Sequence, residues 1–133
     1  MCLDFDGVIH SYEKGWQGGL LYGKVTPGFW DWALRASKLF KLVIYSSRSS
    51  DEGQIAKMRL WLRGQWELTQ YAHGTPVIEM PSFTFTDHKP PAFLTIDDRC
   101  VCFKGSWDEL DPEQLVDFKP WNATVITSTE RKE

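Results

Sequence analysis

The chain has 133 residues, 42% of them hydrophobic, with 18 acidic and 15 basic residues and a formal net charge of -3. This length suits one compact domain whose core needs no disulfide or zinc, and the small acidic excess gives no general attraction for duplex nucleic acid. The three cysteines form no disulfide framework, and no apolar run reaches the ~18 residues of a membrane span. We therefore expect a single domain over residues 1–133, in the cytoplasm and without a membrane segment or signal peptide.

The first predicted elements are a strand and a glycine-rich loop. Residues 1–5 form a short buried strand that ends at a pair of aspartates, and residues 8–22 form a hairpin or loop. Together with its flanks this loop makes a small flap around residues 8–24. Trp16 lies among glycines there, which predicts a mobile segment able to cover a ligand.

A helix and a second strand follow the flap. The helix begins at Pro27, with Thr26 as N-cap, and runs to about Lys38. Residues 42–45 are a continuous apolar run that is typical of a strand covered on both faces of a parallel sheet. The polar residues 46–50 then occupy the carboxyl end of that strand, where open α/β sheets bind ligands.

The second helix begins near Ser50 or Asp51 and ends at Arg63, because Gly64 is typical of a helix end. A further helical stretch and a third strand over residues 76–80 are expected next.

The last third of the chain begins with a strand. Residues 92–96 form this buried strand, and Asp97-Asp98 follow it. A short hairpin around residues 101–105, a turn or helix near residues 110–116, and a poorly ordered tail after about residue 122 complete the chain. This alternation predicts an α/β fold with a mostly parallel central sheet.

Three of these apolar strands end in polar residues, and parallel strands place their carboxyl ends on one edge of the sheet. We therefore expect four carboxylates, a hydroxyl and an ammonium to meet in one crevice. They belong to Asp4, Asp6, Asp97, Asp98, Ser46 and Lys89.

Four clustered carboxylates repel one another, so such a site usually binds a divalent cation or has raised pKa values. Oxygen ligands favour Mg²⁺, which often completes its coordination with substrate phosphate oxygens. Lys89 and the Ser46 hydroxyl would then contact the remaining phosphate oxygens. A phosphorylated substrate is the natural ligand of this arrangement.

Residues 3–8, Leu-Asp-Phe-Asp-Gly-Val, resemble the first motif of the haloacid-dehalogenase-like hydrolase superfamily. Residues 43–46 are similar to its second motif, Lys89 to its third, and residues 94–98 to its fourth in the double-aspartate form. The four motifs appear in order over about three quarters of the chain. Residues 89–99 look in particular like small uncharacterised members from bacteria and phages.

The resemblance implies a hydrolase acting on phosphoric monoesters. Asp4 would be the nucleophile that forms an aspartyl-phosphate, and Asp6 the general acid that later acts as the general base. Ser46 would bind the transferring phosphoryl oxygens, and Lys89 would orient Asp4 and balance its charge.

The resemblance also implies a magnesium site and a fold. Mg²⁺ would contact the carboxylate of Asp4, the main-chain carbonyl of Asp6, and Asp98, with Asp97 assisting directly or through water. Whether Asp97 or Asp98 is the direct metal ligand stays open. The fold would be a Rossmann-like three-layer sandwich with a minimal cap, because only 19 residues separate Asp6 from Thr26.

The substrate itself is not specified. By analogy, an open site suits bulky phosphorylated substrates or a cap supplied by a partner. Nucleic-acid ends are one candidate class, although the net charge gives them no support. Only three residues precede Asp4, which leaves a native start upstream of Met1 open.

Several alternatives remain. A receiver-like phospho-acceptor domain also clusters aspartates, a hydroxyl and a lysine, but it places the acidic pair on its first strand. A catalytically silent domain that binds a metal or a partner is a second alternative. At single positions, Ser46 or Ser47 could cap the next helix, and Arg48 and Arg99 could form ion pairs with the aspartates rather than bind substrate.

Overall fold

The computed structural model describes residues 1–73 and 78–122. These residues form four strands and three helices of an α/β fold, and strands alternate with helices except at the last two strands, which follow one another directly. In chain order they are β1 (Cys2–Leu3), α1 (Phe29–Ala36), β2 (Leu42–Ile44), α2 (Glu52–His73), β3 (Phe83–Phe85), β4 (Thr95–Ile96) and α3 (Pro112–Leu115). Short 3-10 turns lie at Gln17–Gly19, Ser47–Ser50 and Trp107–Glu109.

The described strands form a four-stranded sheet in the order β3-β2-β1-β4, and every pair is parallel. In the central strand, Leu3 lies opposite Ile44 of β2 and Ile96 of β4. This confirms the parallel sheet and is compatible with a Rossmann-like fold. Because all strands run the same way, the segments that follow β1, β2 and β4 meet at one edge of the sheet.

Apolar side chains of β1, β2, α1 and α2 form the core. On α2, the buried residues Met58, Leu62 and Trp66 recur every four residues, so one face of the helix packs against the sheet. The remaining buried members are Leu3, Phe5, Ile9, Phe29, Trp30, Ala33, Ala36, Leu42 and Ile44.

Helix α1 begins two residues later than its sequence pattern predicts. Gly28, not Thr26, takes the N-cap position, with a φ of +79°. The Thr26 hydroxyl instead donates a hydrogen bond of 2.6 Å to the carbonyl of Val8 and so ties the flap to the start of the helix.

Helix α2 was expected to end at Arg63, and this prediction is wrong. The helix continues through Gly64 to His73. A helix-interior glycine costs only ~1 kcal/mol relative to alanine, and burial of Trp66 two residues later outweighs that cost. Its start is close to the expected position, because the carbonyl of Asp51 accepts the first helical hydrogen bonds. Neither α2 nor any other helix of the described residues is long and apolar enough to cross a membrane.

The third strand lies further along the chain than predicted. Residues 78–80 are not a strand, and residues 76–77 lie outside the described part. The strand is β3, where alternating aromatic and β-branched residues pair with β2. Phe83-Thr84-Phe85, bounded by Pro81 and Asp87, is the strand signal that the sequence interpretation missed.

The expected hairpin around residues 101–105 is also absent, since no strand is found among the described residues beyond β4. Gly105 has a φ of +100°, and Ser106 caps a 3-10 turn by accepting the N–H of Asp108. The predicted turn or helix near residues 110–116 is confirmed as α3. The tail after residue 122 lies outside the described residues.

Candidate functional site

Asp4 is the first residue after β1, at the centre of the sheet edge. Its backbone N–H donates to the carbonyl of Ile96, the last residue of β4, over 3.0 Å. This hydrogen bond extends the parallel pairing by one residue. It therefore brings the Asp4 side chain next to the residues that follow β4.

Those residues complete an acidic triad. Asp4, Asp97 and Asp98 each offer a carboxylate oxygen, and the three oxygens lie within 4.8 Å of one another. Asp97 is exposed, whereas only 3% of the Asp98 side chain is accessible to solvent. Oxygen donors at this spacing could hold a metal ion.

Burial and mutual repulsion perturb the triad. Burial, followed by the charge of Asp97, raises the pKa of Asp4 to about 8. Burial also raises the pKa of Asp98, again with the charge of Asp97 contributing. Because ionised forms are disfavoured there, the metal-free triad retains at least one proton at neutral pH.

Asp98 carries an unsatisfied oxygen. Its Oδ2 is buried and has no hydrogen-bond partner among the described residues. The nearest cation is Arg99, whose Nε lies 3.9 Å away. Leaving a buried carboxylate oxygen unpaired is costly, and a divalent cation would remove this cost. The donor set therefore fits a hard cation such as Mg²⁺.

The turn after β1 is held from the far end of the described chain. Trp121 Nε1 donates to the carbonyl of Gly7 over 2.7 Å, and Asn122 Nδ2 donates to the carbonyl of Ser11 over 2.9 Å. No local sequence signal links positions more than 100 residues apart. These contacts could be found only from the folded chain.

The Asp6 side chain points to a different set of partners. Arg48 donates to its two oxygens, from Nε over 2.6 Å and from Nη2 over 3.2 Å. His10 Nδ1 lies 2.9 Å from Oδ1. The Asp6 carboxylate is not a member of the acidic triad, although its charge contributes to the raised pKa of Asp4.

Ser46 is buried at the end of β2 and caps the following 3-10 turn. Its Oγ accepts the N–H of Arg48 over 3.2 Å, and its own N–H donates to Ser49 Oγ over 3.0 Å. The capping alternative is thus present at Ser46 rather than at Ser47. Capping uses a lone pair of the oxygen, so the Ser46 hydroxyl hydrogen can still donate to a ligand.

Lys89 lies in the loop between β3 and β4, and its side chain is exposed. No hydrogen bond or ion pair of this side chain is found with any described residue. The structure therefore brings Lys89 into contact with neither Asp4 nor Asp98.

Among the partners of Asp6, His10 had no assigned role in the sequence interpretation, whereas the ion-pair alternative given for Arg48 is confirmed. His10 is fully buried and bonded to Asp6, and Arg48 is the ion-pair partner of Asp6. A lone histidine six positions after Asp4 gives no signal by itself. Arg48, in contrast, lies four residues after the end of β2, among the polar residues 46–50, and that position favours a role at the sheet edge.

Comparisons with models of protein families, with curated proteins and with solved structures find no match for this chain.

Proposed function

We propose that this protein is a Mg²⁺-dependent phosphomonoesterase of the haloacid-dehalogenase type, which works through an aspartyl-phosphate on Asp4. One observation carries the proposal: Asp4, Asp97 and Asp98 converge within 4.8 Å at the carboxyl edge of a parallel sheet. A nucleophilic carboxylate beside a cation site is what phosphoryl transfer through an acyl phosphate requires.

The acidic triad would hold the metal, with the main-chain carbonyl of Asp6 as a further oxygen ligand. When bound, Mg²⁺ would neutralise the triad and polarise the phosphoryl oxygens of the substrate. The same charge would favour the ionised Asp4, whose metal-free pKa of about 8 leaves it mostly protonated at pH 7.

The proposed reaction has two displacements at phosphorus. In the first, a carboxylate oxygen of Asp4 attacks, the bond from phosphorus to the leaving oxygen breaks, and Asp6 supplies the proton that the leaving oxygen takes. In the second, water attacks, its proton passes to Asp6, and the bond from phosphorus to Asp4 breaks. Both side chains then return to their starting states.

The contacts of Asp6 support these two roles unequally. Its three side-chain contacts are all with hydrogen-bond donors, on Arg48 or His10, which suits the step in which Asp6 accepts a proton from water. Donating a proton to the leaving oxygen requires that one of these donors be released. We infer that substrate binding breaks one of the contacts of Asp6 with Arg48 or His10.

Ser46 and Lys89 would bind the non-bridging phosphoryl oxygens and balance their charge. Ser46 is already rigidly placed by its cap. Lys89 is exposed, so its proposed role requires the lysine side chain to turn towards Asp4 when a phosphate is bound. An exposed, flexible lysine can do this at little structural cost.

The fold and setting belong to the same proposal. A Rossmann-like three-layer arrangement with a minimal cap would leave the crevice open to bulky phosphorylated substrates, nucleic-acid ends among them. Three free thiols, at Cys2, Cys100 and Cys102, suit a reducing compartment such as the cytoplasm.

The test is a phosphate-release screen with Mg²⁺ over nucleotides, sugar phosphates, phosphopeptides and 3′- or 5′-phosphorylated oligonucleotides. We expect turnover of at least one class and its loss in Asp4→Asn. Asp31→Asn, the same change at an exposed position of α1, is the matched control and should keep full activity. Lys89→Gln should lower turnover without unfolding the protein.

The alternatives give different results in the same assay. A receiver-like domain would take up one phosphoryl group from a small phosphodonor and retain it, with no further turnover. A silent domain would bind Mg²⁺ but release no phosphate from any substrate, and Asp4→Asn would then change nothing. Either result would refute the phosphatase proposal.

A further inference from the structure

Arg48 is a buried cation that contacts two separate segments. On one side its Nε and Nη2 donate to Asp6, and the Arg48 side chain has no exposed surface. On the other side its Nη1 donates to the carbonyl of Gly19 over 2.8 Å. The guanidinium carbon also lies 4.6 Å from the ring centroid of Trp16. One side chain thus joins the turn after β1 to the flap.

His10 makes a second connection from Asp6 into the flap. Its Nε2 accepts the N–H of Gly23 over 2.9 Å. Because Nε2 is the acceptor, the hydrogen of a neutral ring lies on Nδ1, which donates to Asp6. Asp6 is therefore linked to Gly19 through Arg48 and to Gly23 through His10.

The flap is itself tied together between these two attachment points. The Tyr22 hydroxyl accepts the N–H of Lys14 over 2.8 Å and donates to the carbonyl of Gly15 over 2.9 Å. Gly19 has a φ of +83°, and a Cβ there would lie 3.3 Å from the Trp16 ring. A Cβ at this distance would displace the Trp16 ring by a few tenths of an ångström, and the positive φ favours glycine, so the segment suits the approach of Trp16 and Gly19 to Arg48.

We propose that Arg48 is a positioning residue that latches the flap onto the Asp6 carboxylate. The latch makes the flap a fixed wall of the crevice, and it makes the orientation of Asp6 depend on the flap being seated. Its consequence for catalysis rests on the proposed function, whereas the latch itself does not.

Lysine could not replace Arg48 in this role. The guanidinium is a planar fork that bonds both carboxylate oxygens, reaches a carbonyl on its other edge and stacks on an indole. An ammonium is a compact charge without this fork. Arg48→Lys would therefore keep the charge but could not contact the carboxylate, the carbonyl and the indole at the same time. Trp16→Ala would remove the stacking partner alone.

Limited proteolysis with trypsin tests the latch without any assay of function. Lys14 is exposed and lies in the flap, whereas Lys57 and Arg63 lie within α2. In Arg48→Lys we expect cleavage after Lys14 to be about tenfold faster or more, with cleavage after Lys57 and Arg63 unchanged. Arg35→Lys, on an exposed position of α1, is the matched control and should leave every rate unchanged.

A second pair of variants keeps the Arg48–Asp6 pair intact. Trp16 is 47% exposed, so its replacement should not unfold the protein. Trp16→Ala should accelerate cleavage after Lys14, and Trp16→Phe, which keeps an aromatic face, should do so less. This comparison decides the question even if Arg48→Lys does not fold.

Two results would overturn the latch. One is unchanged cleavage after Lys14 in both Arg48→Lys and Trp16→Ala. The other is a parallel rise of cleavage at Lys14, Lys57 and Arg63, which would mean that Arg48 only stabilises the whole fold.

The kinetic consequence has its own readout. With a substrate found in the screen, Arg48→Lys should lower kcat more than it raises KM, and an unchanged kcat would refute the positioning role. A screen that finds no activity would refute the proposed function. The proteolysis result would still decide, independently, whether Arg48 latches the flap.

Discussion

Gly7 lies directly against the carboxylate of Asp98, so closely that a Cβ at position 7 would stand 2.7 Å from Asp98 Cγ and closer still to Oδ2. Gly7 also has a φ of +81°, in the left-handed region that favours glycine. The absence of a side chain at position 7 therefore creates the space in which Asp98 joins the acidic triad.

Gly7→Ala should consequently displace Asp98 and weaken metal binding. Gly28 is a matched control, because its φ is +79° but a Cβ there would meet no described atom within 4 Å. We expect Gly28→Ala to cost about 1 kcal/mol of unfolding free energy from backbone strain alone. Gly7→Ala should cost about 1–3 kcal/mol more, from overpacking.

Urea unfolding measures the two costs, and isothermal titration calorimetry with Mg²⁺ measures the affinities. Equal losses of stability in the two variants, with equal Mg²⁺ affinity, would show that Asp98 moves aside freely.

Metal binding should be linked to pH through Asp4. In the metal-free protein the pKa of Asp4 is about 8, so below that pH a cation must displace a proton. The Kd for Mg²⁺ should therefore fall as pH rises from 6 to 8, by about tenfold per pH unit if one proton is released. Above pH 8 the dependence should flatten.

Calorimetry in buffers of different ionisation enthalpy counts the protons released. Asp31→Asn should show the native pH dependence. A Kd that is constant between pH 6 and 8 would contradict a protonated triad.

The stability of the metal-free protein should fall as pH rises. The pKa of Asp4 is raised in the folded state from an ordinary value of 3.8 to about 8, so between these values the folded chain binds more protons than the unfolded chain. The contribution of Asp4 is then full below pH 3.8 and is lost as pH rises towards 8, with a slope of at most about 1.4 kcal/mol per pH unit.

In EDTA, the unfolding free energy measured with urea should change less between pH 5 and pH 8 for Asp4→Asn than for the native chain. The variant should also be the more stable of the two at pH 8. Excess Mg²⁺ should raise the unfolding free energy of the native chain at pH 8 again. A native chain that gains stability from pH 5 to 8 by the same amount as the variant would refute the prediction.

Ser46 can be tested for a role beyond capping by comparison with Ser49. The two hydroxyls form one capping box, so Ser46→Ala and Ser49→Ala should each lose about 1 kcal/mol of unfolding free energy. Only Ser46→Ala removes the hydroxyl proposed to contact the phosphoryl group.

A substrate from the screen should therefore show a raised KM and lowered kcat for Ser46→Ala, with near-native values for Ser49→Ala. Equal kinetic losses in the two variants would mean that the Ser46 hydroxyl acts only as a cap.

The sequence located β1, β2 and β4 because their signals are local, although β4 covers only Thr95–Ile96 of the predicted residues 92–96, and Phe93 and Leu94 are exposed rather than buried. Each is a short apolar run followed at once by polar residues, and each signal lies within a few positions. β3 was missed although Phe83-Thr84-Phe85 is a local strand signal. The length of α2 was missed because Gly64 suggests a stop, which the burial of Trp66 two residues later overrides.

The composition of the site was likewise accessible from the order of its motifs. Asp4, Asp97 and Asp98 follow strands that pair directly, so their convergence needed only the parallel pairing of β1 with β4. Asp6 and Lys89 lie outside the strands and helices, and side-chain directions in such segments depend on backbone angles that residue types do not specify.

The sequence alone determined which strands end in carboxylates, because an apolar run and the polar residues that end it are features of neighbouring positions. The tertiary structure alone decided that the Asp6 carboxylate turns to Arg48 and His10 and does not join the acidic triad. The physical reason is distance along the chain. Contacts between residues separated by some 40 to 110 positions, such as Asp6 with Arg48 or Gly7 with Trp121, depend on how packed strands and turns orient their side chains.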